Sequence, residues 1–124
     1  MLLNVLLKYS FTRARPVFVD PIETLATYSF PSGHTAATTV FYGIVVAYWC
    51  RRDGGARQLG QGGRPWRRAA LCAAGLLMVA LVGLSRIYLG VHFVSDVLAA
   101  LAESGAWLAL CFAAMGSGKA RAGP

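Results

Sequence analysis

The chain has 124 residues, of which 56% are hydrophobic and 14% charged, and its mean hydropathy is +0.54. Soluble domains carry roughly 25% charged residues, so this composition excludes an ordinary soluble globule, a disordered chain and a nucleic-acid-binding tail. Twelve Lys and Arg against five Asp and Glu give a formal charge of +7, an excess that in so apolar a chain sets membrane orientation rather than DNA binding. The expectation is a small, all-α integral membrane protein of one domain at most.

Met1–Leu7 is apolar but lacks the basic leader and cleavage site of a signal peptide. It reads as the last two turns of an apolar helix whose beginning is absent. Lys8 to Pro31 is polar and punctuated by Pro16, Pro21 and Pro31, an irregular loop. Phe30 to Cys50 carries no Lys, Arg, Asp or Glu, and its 21 residues reach about 30 Å as a helix, enough for a first span. Arg51–Arg68 is a Gly- and Arg-rich loop holding six arginines against Asp53, with no aromatic ladder for nucleic acid; Trp66 stands alone.

Ala69–Ser85 is a second, shorter apolar span, and a third runs from His92 or Phe93 to Met115, interrupted by Glu103. Gly116–Pro124 is a short basic tail, expected to be disordered. Cys50, Cys72 and Cys111 have no metal-type spacing and are expected as small buried hydrophobes. Trp49, Tyr88 and Trp107 fit interfacial anchors, and Glu103, with Ser104 and Gly105 beside it, an inter-helix seam. If three spans alternate, the six arginines and the tail's Lys119 and Arg121 share one side, facing Lys8, Arg13, Arg15 and Arg86 on the other. The positive-inside rule then makes Arg51–Arg68 cytoplasmic and gathers three polar clusters on the outer face.

Those clusters carry the chemistry. Lys8 and Arg15 are seven apart and would share a helical face until Pro16; they read either as an interfacial snorkelling pair or as a grip on phosphate. Pro31-Ser32-Gly33-His34 opens a helix, with Ser32 as cap and Gly33 letting an anion approach free N–H groups, or else it is a plain helix start. His92 and Asp96, at i and i+4, face the same way, so the carboxylate can take Nδ1–H and leave Nε2 as nucleophile or base. The competing reading is a structural hydrogen bond between helices. A metal site is disfavoured because the surrounding Lys and Arg repel a cation.

Taken in order, K-x6-R-P (Lys8 to Pro16), P-S-G-H (Pro31–His34) and S-R-x5-H-x3-D (Ser85–Asp96) resemble the three signature motifs of the type 2 phosphatidic acid phosphatase superfamily. The resemblance covers Lys8 to about Met115. It implies a transmembrane helix bundle and a metal-independent phosphatase of lipid phosphates or polyprenyl pyrophosphates, with no cofactor. In that frame His92 is the nucleophile, Asp96 fixes its tautomer and His34 protonates the leaving oxygen. Lys8, Arg15, Ser32, Gly33 and Arg86 hold the phosphoryl oxygens.

Membrane members of the family typically have six spans. This chain supplies three and the end of another, so an N-terminally truncated domain is expected, completed by a second copy or a partner. The implied partners are a lipid phosphate and the bilayer, with no nucleic acid, and the site faces the extracytoplasmic side. Two alternatives stand beside this reading: the vanadium haloperoxidase branch, disfavoured by the apolar spans, and an inactive truncated relative that only packs in the membrane or binds lipid headgroups.

Overall fold

The computed structural model describes residues 2–17, 26–58 and 65–121, and side chains within these except 53–58 and 117–121. Four helices are described: α1 (Leu2–Phe11), α2 (Gly33–Gln58), α3 (Pro65–Tyr88) and α4 (Val94–Arg121). There is no strand among the described residues. The helix α2 packs against both α3 and α4.

Local signals set the helix ends. The Ser32 carbonyl accepts the first helical bond of α2, from the Ala36 N–H (3.0 Å), as an N-cap does. Pro65 stands at the first position of α3, where a missing N–H costs nothing. Helix α3 closes in a Schellman turn: Gly90 N–H reaches Ile87 O, Val91 N–H reaches Arg86 O, and Gly90 sits at φ 70°. That turn delivers His92 at once to the start of α4. There, Asp96 accepts the Phe93 N–H at 2.9 Å, a capping contact that also places a carboxylate at the positive end of the helix dipole.

Close approach along the shaft depends on small residues. A Cβ at Gly43 on α2 would collide with Leu108 of α4, and one at Gly83 on α3 would lie 2.9 Å from Val97 of α4. The interior is more polar than the outside. Ser29, Ser32, Thr35, Asp96 and Ser104 are buried, while Leu76, Leu81, Leu84 and Leu110 are exposed. Lipid as solvent selects this arrangement, because apolar side chains lose nothing by facing acyl chains and polar groups find partners inside.

Several expectations need correction. The apolar start is a helix, but it ends at Phe11, not Pro16, because the chain turns at Thr12 with φ 44°; Lys8 and Arg15 therefore do not share a helical face. The expected loop 51–68 is helical at both ends, over 51–58 and 65–68, and the backbone of the expected disordered tail is helical through Arg121. Pro21, Arg64 and residues 122–124 lie outside the described residues.

Among the described residues two helices, Pro65–Tyr88 and Val94–Gly116 of α4, are long and apolar enough to cross a membrane. The span expected over Phe30–Cys50 is helical from Gly33 but is not one of these two. Its first turns are rich in threonine, and Thr38 and Thr39 satisfy their hydroxyls on the carbonyls of His34 and Thr35. The cysteines also depart from expectation: Cys72 is exposed and Cys50 and Cys111 are half-buried, since a lipid-facing surface accepts a thiol as readily as a core does.

At the arginine-rich end, guanidinium groups lie over aromatic rings. Arg51 faces Phe112 at 5.2 Å, Arg52 faces Trp49 at 5.6 Å and Arg67 faces Trp66 at 5.8 Å. Halfway down α4, Glu103 is met by the buried Asn4 of α1, whose Nδ2 donates to Oε2 at 3.0 Å. The neighbouring Ser104 hydroxyl donates to Ala36 O of α2 at 3.3 Å. The expected inter-helix seam is thus present, joining α1, α2 and α4.

Candidate active site

At the end of the bundle opposite the Arg-aromatic contacts, the segment after α1, the start of α2 and the α3–α4 turn converge. They enclose a pocket of about 350 Å³ lined by Lys8, Arg15, Thr27, Gly33, His34, Ala37 and His92. Five of the eight residues expected from the sequence therefore line one cavity. Asp96, Ser32 and Arg86 do not. Asp96 lies fully buried behind His92, and Ser32 is fully buried with its hydroxyl 3.0 Å from that of Thr35. Arg86 is half-buried, its Nε donating to Ser85 Oγ at 3.4 Å.

The two pocket cations are fixed by backbone carbonyls. Lys8 Nζ donates to Tyr28 O (2.8 Å) and Pro31 O (2.9 Å). Arg15 spans the site: Nε donates to Thr27 O (2.7 Å), Nη2 to Thr27 Oγ1 (3.0 Å), and Nη1 to Val91 O (2.8 Å). These bonds hold positive charge beside His92 without neutralising it, which suits an anionic group in the pocket.

His92 is 3% exposed, and its Nε2 lies 3.4 Å from Arg15 Nη1. That contact leaves Nε2 as the acceptor atom when Nδ1 carries the proton. Burial, and then the Arg15 guanidinium, push the imidazole down to about 4 against the pull of Asp96. The ring is therefore neutral at pH 7, with a lone pair on Nε2. His34, by contrast, is exposed on the first turn of α2 at the pocket wall.

The His92–Asp96 pair differs from the simple i, i+4 expectation. Nδ1 lies 3.5 Å from Oδ2, an ion-pair distance longer than a hydrogen bond, and it has no hydrogen-bond partner. The carboxylate is shared among more groups than the spacing suggests. Oδ2 also accepts the Ser29 hydroxyl and the Phe93 N–H, while Oδ1 accepts Arg13 Nη1 at 2.8 Å.

Sequence reasoning missed Arg13, Ser29 and Thr27. Arg13 fills a variable position of the first motif, and Thr27 lies outside the motifs. Ser29 belongs to none of the motifs, and its partner is 67 positions away. Its carboxylate partner is itself legible; the pairing is not.

A sequence model of the PAP2 superfamily matches residues 1–118. Phosphatidylglycerophosphatase B of Bacillus subtilis (strain 168) is 39% identical over 101 residues, covering 78% of this chain and 43% of that protein. The crystal structure of the first transmembrane PAP2 type phosphatidylglycerolphosphate phosphatase, also from Bacillus subtilis, superposes with a TM-score of 0.73 at 30% identity. That match covers 95% of this chain and 53% of the solved one, so the chain spans about half the length of the relatives it matches. With a family match over nearly the whole chain and the motif residues gathered at one end of a helical bundle, the chain belongs to the PAP2 superfamily.

Proposed function

We propose that the chain carries the catalytic half of a membrane phosphatase that hydrolyses lipid phosphates without a metal, through a phosphohistidine. The observation that carries this is the single pocket in which Lys8, Arg15, His34 and His92 meet. Phosphoryl transfer requires chiefly positioning and charge neutralisation, which two fixed cations and the N–H groups opening α2 supply. Nε2 of His92 attacks phosphorus and forms a P–N bond as the P–O bond to the lipid breaks. His34, as imidazolium, gives its proton to the leaving oxygen. Neutral His34 then takes a proton from water, whose oxygen attacks phosphorus; the P–N bond breaks and inorganic phosphate leaves.

Ser32, Gly33 and Arg86 complete the phosphate grip in this reading, Ser32 and Arg86 by moving from their present partners. Phosphatidylglycerophosphate is the first substrate to test, because both matched Bacillus subtilis proteins are phosphatases named for that class of lipid. The proposed topology has three spans and the end of a fourth. The site is extracytoplasmic, and the Arg51–Arg68 region lies on the cytoplasmic side, where the Arg-aromatic contacts fit an interface.

The test is phosphate release from phosphatidylglycerophosphate by detergent-purified protein in excess EDTA. The expected results are turnover in EDTA, an acid-labile phosphoenzyme, and loss of both in His92→Ala. Strict dependence on added divalent metal, or turnover surviving His92→Ala, overturns the mechanism. A second reading, a family member that binds lipid headgroups without turnover, draws on Ser32 and Arg86 being held outside the pocket by Thr35 and Ser85. Vanadate or phosphate binding at the pocket with no turnover in any lipid phosphate selects it.

A further inference from the structure

We propose that Arg13 is a positioning residue for the reaction, holding Asp96 so that the carboxylate orients His92 without protonating it. The proposal rests on His92 as the reacting group. Arg13 fills a variable position of the first motif, between Lys8 and Arg15, and its guanidinium does not line the pocket that holds Lys8, Arg15, His34 and His92. It meets the Asp96 oxygen other than the one nearest His92. Nη1 donates to Asp96 Oδ1 at 2.8 Å and to Ser95 Oγ at 2.7 Å, and the guanidinium lies over the Phe93 ring at 4.3 Å. One side chain thus touches Phe93, just before α4, and Ser95 and Asp96 in its first turn, all within four residues of His92.

The backbone of the same residue closes the other half of the clamp. The Arg13 carbonyl accepts the Ser29 N–H at 2.9 Å, and the Ser29 hydroxyl donates to Asp96 Oδ2. Arg13 therefore fixes both oxygens of a carboxylate that is 0% exposed, one directly and one through Ser29. A buried carboxylate with no cation would draw the adjacent imidazole toward its charged form. With Oδ1 paired to Arg13, that pull is reduced. The charged and titratable groups around His92 are then Lys8 from α1, Arg15 from the segment after it, His34 from α2 and Asp96 from α4, with Arg13 paired to Asp96. Among them Arg13 acts on His92 through Asp96, whereas Arg15 contacts the ring itself.

The roles separate in kinetics. Arg13→Gln is expected to lower kcat by about 10- to 100-fold, the scale of a sub-ångström to 1 Å misplacement of a reacting group. KM stays within about 2-fold, since the phosphate grip is untouched, and the acid limb of kcat/KM moves to higher pH. Arg15→Gln, removing a pocket cation, raises KM as well. Unchanged kcat and pH profile in Arg13→Gln overturns the proposal, as does a rise in KM alone, which would make Arg13 a phosphate ligand.

Should Arg13→Gln fail to fold, Arg13→Lys decides. Keeping the charge but losing the fork, it is expected to reduce kcat with KM and acid limb near wild type, and wild-type kcat overturns the proposal. The ¹⁵N-histidine titration of His92 in micelles, resolved from His34 by a His34→Gln background, reads the same clamp without turnover. Its midpoint rises in Arg13→Gln if the clamp acts as described and stays put if it does not. An inactive wild type, or an active His92→Ala, defeats the phosphatase mechanism instead and leaves the titration to judge Arg13.

Discussion

At the pocket end, segments far apart in the chain are joined by charged and polar bonds. Arg13 reaches Asp96 across 83 positions, Arg15 reaches Val91 across 76 and Ser29 reaches Asp96 across 67. Along the shaft, beyond the Asn4–Glu103 and Ser104–Ala36 bonds, the helices meet by shape, with Gly43 against Leu108, Gly75 3.2 Å (from its would-be Cβ) from Val46, and Gly83 against Val97. Lipid offers no hydrophobic drive to press apolar helices together, so the shaft relies on close packing. The pocket end concentrates buried polar groups, where each unmade bond is costly. Damage to the first region should therefore appear in catalysis, and damage to the second in stability.

The largest effect expected on that contrast is at Asp96. Asp96→Ala removes the acceptor of Arg13, Ser29 and the Phe93 N–H together, and kcat should fall by about 10³- to 10⁴-fold, the range seen when a buried carboxylate orienting a catalytic histidine is replaced. Steady-state phosphate release checks it; a loss below 10-fold would mean that His92 is oriented by other contacts. Gly43→Leu on the shaft should behave oppositely. It forces a side chain into Leu108, costing about 1–3 kcal/mol of stability, while turnover per folded molecule stays within about 2-fold. Thermal denaturation with activity normalised to folded protein separates the two. If Gly43→Leu lowers turnover without lowering the melting temperature, the division between the regions is wrong.

Asn4→Ala tests the border between them. Asn4 is 3% exposed and donates to Glu103, so its removal leaves a carboxylate oxygen on α4 without that donor and is expected to cost about 1–3 kcal/mol. Glu103→Gln, which retains an acceptor oxygen for Asn4, should cost less.

Acid provides a milder perturbation of the pocket end. His92 is ordinary, near 6.5, in the unfolded chain and pushed down to about 4 in the fold. The unfolded state therefore binds the extra proton first. Stability is full above about 6.5, declines as pH falls toward 4, and loses nothing further from this group below that. His92→Gln should flatten that decline in pH-dependent melting curves; an unchanged slope would assign the decline to other groups.

Much of the site was legible because each motif is local. The Pro31–His34 segment had to open a helix, and the His92–Asp96 spacing had to place both residues at the start of another. Their association in space was readable only through topology. What escaped was contact between segments whose spacing carries no signal, as with Arg13 and Ser29. Helix ends escaped as well: Gly- and Arg-rich residues 51–58 read as loop, yet their backbone continues α2. The Lys8–Arg15 relationship failed at a single residue, Thr12, whose backbone conformation no propensity foretells.

That residue gives the smallest effect and a direct test of how the pocket end is assembled. Thr12 adopts φ 44°, a left-handed conformation that β-branched residues rarely take, and its N–H bonds back to Lys8 O at 3.0 Å. The turn directs Arg13 and Arg15 toward the α3–α4 connection and not along α1. Asparagine tolerates this conformation better, so Thr12→Asn is expected to stabilise by about 0.5–1 kcal/mol with unchanged kcat and KM. Thr12→Pro, fixed near φ −65° and without the N–H, should misdirect both arginines, lowering turnover more than it lowers stability. Equal behaviour of the two variants would place the pivot elsewhere, whereas opposite behaviour shows that one backbone angle joins an apolar helix to a polar site.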